Sequence, residues 1–362
     1  MSRLAGLDRA AFRDWLGDAD FSGVIHVVGD DDEEPVTIAL HLADRVAGLP
    51  NHPGTRFGTA STTKLLTGLT VARLVDRGVV RYEDRLVDLL PADLRPHDLD
   101  ERVTLFHLLS HTSGVGDYAD EYDGPPYEQI WETVPAGAIR GAADLVRRFR
   151  DLPRTGDPGD AARYNNGAYV LAGLALEAMV GRPFPDVVRD EVLAPLGMAS
   201  SGFWAFDALE PDLAVGYQPP DPEAAPGSRA ATWRTNIYAL PALGLPDGGA
   251  QATAADLVRA LDAMTGRGAA GAAFLTKATR ARMIGPHAVS PIEKSGYGLG
   301  VVHSGEGPSR RIGHAGDDPG FSSRCWSYIA TGERVVVQSN VTEGAWQAFQ
   351  RLDDVLASAS RV

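Results

Sequence analysis

Ser61 and Lys64 stand three residues apart in Phe57-Gly-Thr-Ala-Ser-Thr-Thr-Lys64, just ahead of a run in which Leu65, Leu66, Leu69, Leu74 and Val75 recur at helical spacing. The spacing predicts that the two open a core helix on one face, hydroxyl within reach of amine. A helix N-terminus presents unpaired N–H groups and a positive dipole end, which favour a serine alkoxide or the oxyanion it creates. The apolar residues after Lys64 predict a partly desolvated amine, and desolvation lowers a lysine pKa toward the range where it accepts a proton. The pair reads as an activated nucleophile.

An N-cap serine with a surface lysine one turn on is the commoner meaning of such a pair. Composition argues against it here. The chain has three lysines and 18 serines, so about 0.15 Ser-x-x-Lys matches are expected by chance, and this is the only one.

A second segment, Arg163-Tyr-Asn-Asn-Gly167, precedes an apolar helical run. Tyr164 is suited to pass protons and Asn166 to offer an amide to a substrate. Taken alone, the segment is as well explained by a cap and a packed ring. His107 and His111 are four apart, a metal-like spacing, but no glutamate follows His107, and we expect no metal and no cofactor. No Gly-x-Ser-x-Gly elbow is present, which argues against a Ser-His-Asp hydrolase.

The elements that must position these residues can be read in order. Residues 1–16 form an amphipathic helix, and Phe21–Val28 and Pro35–Leu42 pair as a hairpin across the acidic turn Asp30–Glu34. The Ser61 helix closes at Gly78, and residues 79–200 are mostly helical, with segments at 105–110, 142–152, 168–180 and 185–192. The loop Gly114–Tyr127, carrying Asp117, Asp120, Glu121 and Asp123, reads as solvent-exposed, with an acidic rim beside a site as the alternative. Thr253-Ala-Ala-Asp256 opens another helix. Strand candidates follow at 296–302, 311–316, 321–329 and 334–338, then a terminal helix over 345–357. The order implies an α/β (α+β) fold, an antiparallel sheet flanked by helices with a mostly helical region inserted. Residues 1–60 and 236–362 would build the sheet domain and 61–235 the helical one, with the active site between them.

The 362 residues carry 34 basic and 48 acidic side chains, a net charge of −14, which disfavours nucleic acid and anionic membrane as partners. The lone Cys325, among Trp326, Tyr328 and Ile329, reads as a buried strand thiol. No signal peptide or membrane span is visible, so the expected location is cytoplasmic as written, or secreted if the N-terminus has been processed.

Taken together, Ser61-x-x-Lys64 and Tyr164-x-Asn166 resemble the first two motifs of the serine β-lactamase and penicillin-binding-protein superfamily, in its class C-like branch. Leu108-Leu-Ser-His-Thr-Ser-Gly114, Ala194-Pro-Leu-Gly-Met198, Gly248-Gly249 and Tyr297-Gly-Leu-Gly300 are similar to stretches of that family in the same order. For the third motif, Lys294-Ser-Gly296 and His314-Ala-Gly316 both match. Only His314 is followed by Gly-Phe, two further strands and a terminal helix, so Lys294 is read as a turn residue.

The resemblance implies a β-lactamase/transpeptidase-like fold and a serine hydrolase that cleaves an ester or amide of a small acyl or peptide substrate. It implies Ser61 as nucleophile, Lys64 and Tyr164 sharing base and acid roles, and Asn166, His314, Gly316 and Asp317 binding substrate. The oxyanion would lie between the backbone N–H groups of Ser61 and Asp317, on an edge strand. Alternatives are a true class C β-lactamase or a penicillin-binding or sensory homologue that acylates without efficient turnover. Because His314 stands where a lysine is usual, the expected preference is for uncharged esters or amides. β-Lactam hydrolysis would be weak and improve toward pH 6 as Asp317 and Asp318 help charge the imidazole.

Overall fold

The computed structural model describes residues 9–18, 21–29 and 34–359. The first eight positions of the expected N-terminal helix, and all of the acidic turn but Glu34, lie outside the described residues. The chain opens with α1 (Arg9–Asp18), then β1 (Gly23–Val28) and β2 (Val36–Leu40), an antiparallel pair with Ile25 opposite Ile38. Six later strands complete the sheet: β3 (Ala288–Val289), β4 (Gly296–Tyr297), β5 (Val302–Ser304), β6 (Arg311–Asp318), β7 (Phe321–Tyr328) and β8 (Arg334–Ser339). Their order is β2-β1-β8-β7-β6-β5-β4-β3, every pair antiparallel. The first hairpin therefore joins the C-terminal meander through β1 and β8, with Val24 opposite Gln338.

Side-chain alternation sends the two faces of this sheet into different cores. Ile25, Val27, Trp326, Tyr328, Val335 and Val337 pack under Phe12 and Leu16 of α1 and under Phe349, Leu352 and Leu356 of the terminal helix α5 (Ala345–Ala359). Val24, Cys325 and Val336 face the other way, into a larger core with three buried helices: α2 (Thr63–Asp76), α3 (Asn166–Val180) and α4 (Ala254–Thr265). Cys325 is a fully buried free thiol.

The expected strand over 296–302 is two strands. Gly298 N–H bonds Val301 O at 2.8 Å to make a turn, and Gly300 sits there at φ +82°. The turn is pressed onto α2, where a Cβ on Gly68 would lie 2.5 Å from Leu299 O. Glycine on both sides is what lets the helix behind Ser61 seat against the sheet. Among the described residues, no helix is long and apolar enough to cross a membrane.

Candidate active site

Ser61 does not sit on the α-helix itself. It lies in a 3₁₀ turn, Ala60–Thr62, and α2 begins at Thr63. The turn is entered through Ala60 at φ +46°, a conformation a non-glycine residue rarely adopts and one that costs of order 1 kcal/mol. The tighter turn still leaves Lys64 one turn on, and its Nζ donates to Ser61 Oγ at 3.0 Å.

Two further acceptors hold the Lys64 amine, Asn166 Oδ1 and the main-chain oxygen of Asp247, both at 2.7 Å. Neither can donate, so each consumes one N–H. The third position on nitrogen faces Ser61: an N–H when Lys64 is an ammonium, a lone pair when it is neutral. Lys64 has no exposed surface, and burial lowers its pKa against the opposing pull of Asp247, Glu121, Asp117 and Asp318.

Asn166 is the first residue of α3, and a network fixes it there. Asn165 caps the helix by accepting from Ala168 N–H at 2.7 Å, while Asp117 accepts from the Asn166 and Gly167 N–H groups at 2.7 and 2.9 Å. The 114–127 loop is therefore solvent-exposed only in part, at Glu121 and residues 123–126, and its first half forms the alternative, an acidic rim beside the site. Asp117 is buried, with its carboxyl pushed up to about 6 by desolvation against its backbone hydrogen bonds. Asp120 is paired with Arg163, so the loop is a wall of the site. The Asn166 amide is oriented by its Nδ2, which donates to Ala119 O at 3.1 Å and the Glu121 carboxylate at 3.4 Å.

The Tyr164 hydroxyl hydrogen-bonds the Ser61 side chain, and burial holds it well above the ordinary phenol range. Its ring stacks on His111 at 4.6 Å between centroids and lies 4.9 Å from Lys64 Nζ. His111 in turn accepts from Asn165 N–H at 3.0 Å, so the second histidine of the metal-like pair supports the tyrosine. Among the described residues no group of three or more His, Cys, Asp or Glu side chains could hold a metal ion.

On the opposite wall runs β6, which is an interior strand rather than an edge strand. β5 pairs with it only over Arg311–Gly313, which leaves His314–Asp318 open on that side. Gly316 is pressed against the serine turn, where a Cβ would stand 2.4 Å from Ser61 N. Asp317 follows, tied by its carboxylate to Arg324 at 2.8 Å and Ser322 at 2.6 Å. Lys294 is exposed in a turn at φ +58°.

His314 corrects an expectation. It is 3% exposed, and burial, reinforced by the Lys64 charge, pushes its pKa down to about 3. The neighbouring acids do not charge it, because Asp317 is engaged with Arg324. Its Nδ1–H donates to Ala315 O at 2.6 Å, which leaves Nε2 a bare, buried acceptor.

These walls enclose a cleft of about 620 Å³ lined by Ser61, Tyr164, Asn166, His314, Gly316 and Asp317, with Lys64 beneath its floor. All seven residues singled out from the sequence are thus brought together. Sequence reasoning passed over Asp247, weighed His111 only as half of a metal-like pair, kept Glu121 only as part of an acidic rim, and gave Asp318 only the part of charging His314. Asp247 precedes the Gly248-Gly249 pair, the only local signal it carried.

Residues 9–359 match the family model described as Beta-lactamase. A segment of 229 residues is 34% identical to esterase EstB of Burkholderia gladioli, covering 61% of this chain and 56% of that protein. Penicillin-binding protein 4* of Bacillus subtilis is 25% identical over 293 residues, 79% of this chain and 61% of its own length. The chain thus spans little more than half the length of these curated relatives. A solved penicillin-binding protein from Bacillus halodurans superposes with a TM-score of 0.84 at 31% identity, covering 95% of this chain and 99% of that one. A D-stereospecific amidohydrolase from Streptomyces sp., at 22% identity and a TM-score of 0.74, shares the fold. With the match running through nearly every described residue, the chain belongs to the β-lactamase family.

Proposed function

We propose that this protein is a serine hydrolase that opens an ester or amide bond through an acyl-enzyme on Ser61, within the class C-like branch that its Ser-x-x-Lys and Tyr-x-Asn motifs resemble. The observation that carries the reading is the Lys64 amine, held by two permanent acceptors with its remaining direction on Ser61 Oγ.

In its neutral form Lys64 takes the Ser61 proton as Oγ attacks the acyl carbon. The Tyr164 phenol, kept protonated by burial, is suited to pass a proton to the departing oxygen or nitrogen and to recover one from Lys64. The raised phenol and lowered amine support Lys64 as the base of the first step. The open stretch of β6 beside Ser61 N supports an oxyanion site built from the Ser61 and Asp317 N–H groups, each worth about 3 kcal/mol in such holes. Water attacking the acyl-enzyme would run the same proton path in reverse. Asn166 and residues 314–317 are suited to hold a small acyl substrate on the acyl side.

The esterase and amidohydrolase relatives support the same class of reaction. Its test is intact-mass detection of an adduct with a fluorophosphonate, followed by peptide mapping. The label belongs on Ser61 and is absent in Ser61→Ala; a label on Ser113 or Ser295 instead would end the proposal.

A further inference from the structure

Six carboxylates line the cleft, Asp120, Glu121, Asp247, Glu293, Asp317 and Asp318, and none of the described residues lining it is an arginine or lysine. Three of the six are paired with an arginine or bonded by two hydroxyls: Asp120 by Arg163, Asp317 by Arg324, and Glu293 by Tyr122 and Tyr297. Glu121, Asp247 and Asp318 are left, and with Asp117 they make four carboxylates around one cation, Lys64. Both nearby histidines are held neutral by burial. The acidic excess grows by one whenever Lys64 gives up its proton to act as a base.

A second observation is independent of the charge count. Three buried polar atoms without a partner belong to side chains lining this cleft, Asp247 Oδ1 on a residue 5% exposed, His314 Nε2 on a residue 3% exposed and Trp326 Nε1 on a residue 4% exposed. The first two are acceptors and the indole N–H is a donor, and a buried acceptor left unpaired costs free energy that only a donor can return. Tyr118 satisfies the other Asp247 oxygen at 2.6 Å, so Oδ1 remains open.

Resting on the serine-hydrolase reading, we infer that the cleft selects acyl donors whose acyl group carries a protonated amine, held on the wall formed by Asp247 and Asp318. Asp318 ends the open stretch of β6 that begins at His314 beside the serine, and Glu121 meets the Asn166 amide at 3.4 Å, so both stand with the groups that hold the acyl side. The wall therefore lies on the acyl side. An ammonium there relieves the mutual repulsion of Asp247 and Asp318 and supplies the missing donor.

The test uses three p-nitrophenyl esters, the 3-aminopropanoate, the nearly isosteric butyrate and the monosuccinate, with each kcat/KM divided by the ester's own rate with hydroxide. The expected order is cationic, neutral, anionic, with the first at least about tenfold above the second at low salt and pH 8. In Asp318→Asn, and separately Asp247→Asn, the cationic-to-neutral ratio falls toward one. A wild-type ratio near one, or a ratio unchanged in both variants, overturns the inference. If none of the esters is turned over, the serine-hydrolase reading fails by itself. Calorimetric binding of 3-aminopropanamide against butyramide to Ser61→Ala then decides the ammonium preference without turnover: tighter cationic binding supports it, equal binding rejects it.

Discussion

Lys64 Nζ lies 2.7 Å from the side-chain oxygen of Asn166, and that oxygen cannot change places with the amide nitrogen. The nitrogen is committed to Ala119 O and the Glu121 carboxylate, both acceptors. The contact thus fixes which way the lysine's lone pair faces when the amine is neutral, and Asp117 fixes Asn166 in turn through the first N–H groups of α3.

Asn166→Asp keeps the shape of this contact and replaces a neutral acceptor with an anion. The Lys64 pKa rises, so less of the amine is neutral at pH 7. The acid limb of the kcat/KM profile should move to higher pH, and the rate at pH 7 should fall by about 10²-fold. A limb that stays in place would show that Lys64 is not the group titrating in it.

Lys64→Ala and Tyr164→Phe should each slow acylation by at least about 10²-fold, and the double variant should be little worse than either, because the two pass one proton. They differ in their pH profiles. Tyr164→Phe should lower the rate without shifting the acid limb, since burial keeps the phenol protonated throughout that range. Pre-steady-state release of p-nitrophenol reads both effects.

The motif residues were legible because each is a rare type at a fixed offset: a serine three before one of three lysines, and a tyrosine two before an asparagine. The sheet was legible from the β-branched and aromatic residues at 21–28, 321–329 and 334–338. What escaped depends on tertiary position. Nothing local marks Asp117 as the cap of a helix that begins 49 residues later. Likewise nothing distinguishes Asp318, whose carboxyl is crowded by Asp247, from Asp317, which has Arg324. His314 lines the cleft, but its electrostatics differ from the expectation, because chain neighbours suggested acids where burial and Lys64 dominate.

Gly316→Ala inserts a methyl 2.4 Å from Ser61 N, and backbone there cannot yield as a flexible side chain would. β6 and the serine turn must separate, which displaces the oxyanion position. Acylation should fall by about 10²-fold while the protein stays folded by circular dichroism. Wild-type acylation would place the oxyanion elsewhere.

With its pKa at about 3, His314 is neutral across pH 5–8 and should contribute no ionisation to the rate in that range. The apparent pKa values of ester hydrolysis should therefore be the same in His314→Gln, whatever the change in rate. His314→Lys adds a permanent cation to a wall that has none and should raise cephalosporin turnover relative to butyrate-ester turnover. Efficient cephalosporin hydrolysis by the wild type, with no gain from that substitution, would mean that the anion is held by other groups.

Asp318 carries a stability signature that can be measured without any substrate. Burial, then Asp247, Asp317 and Glu121, raise its pKa from 3.8 to about 7 against the pull of Lys64. A carboxyl whose pKa is higher folded than unfolded binds its proton more tightly in the native state. Its contribution is thus fully favourable below pH 3.8 and is lost as pH rises through about 7. Asp318→Asn removes the charge, so it should raise the melting temperature at pH 8 and have little effect at pH 4. The same titration predicts that the cationic ester loses its advantage over butyrate between pH 8 and pH 6, as Asp318 takes up a proton beside Asp247, Lys64 and Glu121. A variant less stable than wild type at pH 8 would mean that the carboxylate already has a partner in the folded protein, and an ester ratio flat across pH 6–8 would assign the preference to Glu121 instead.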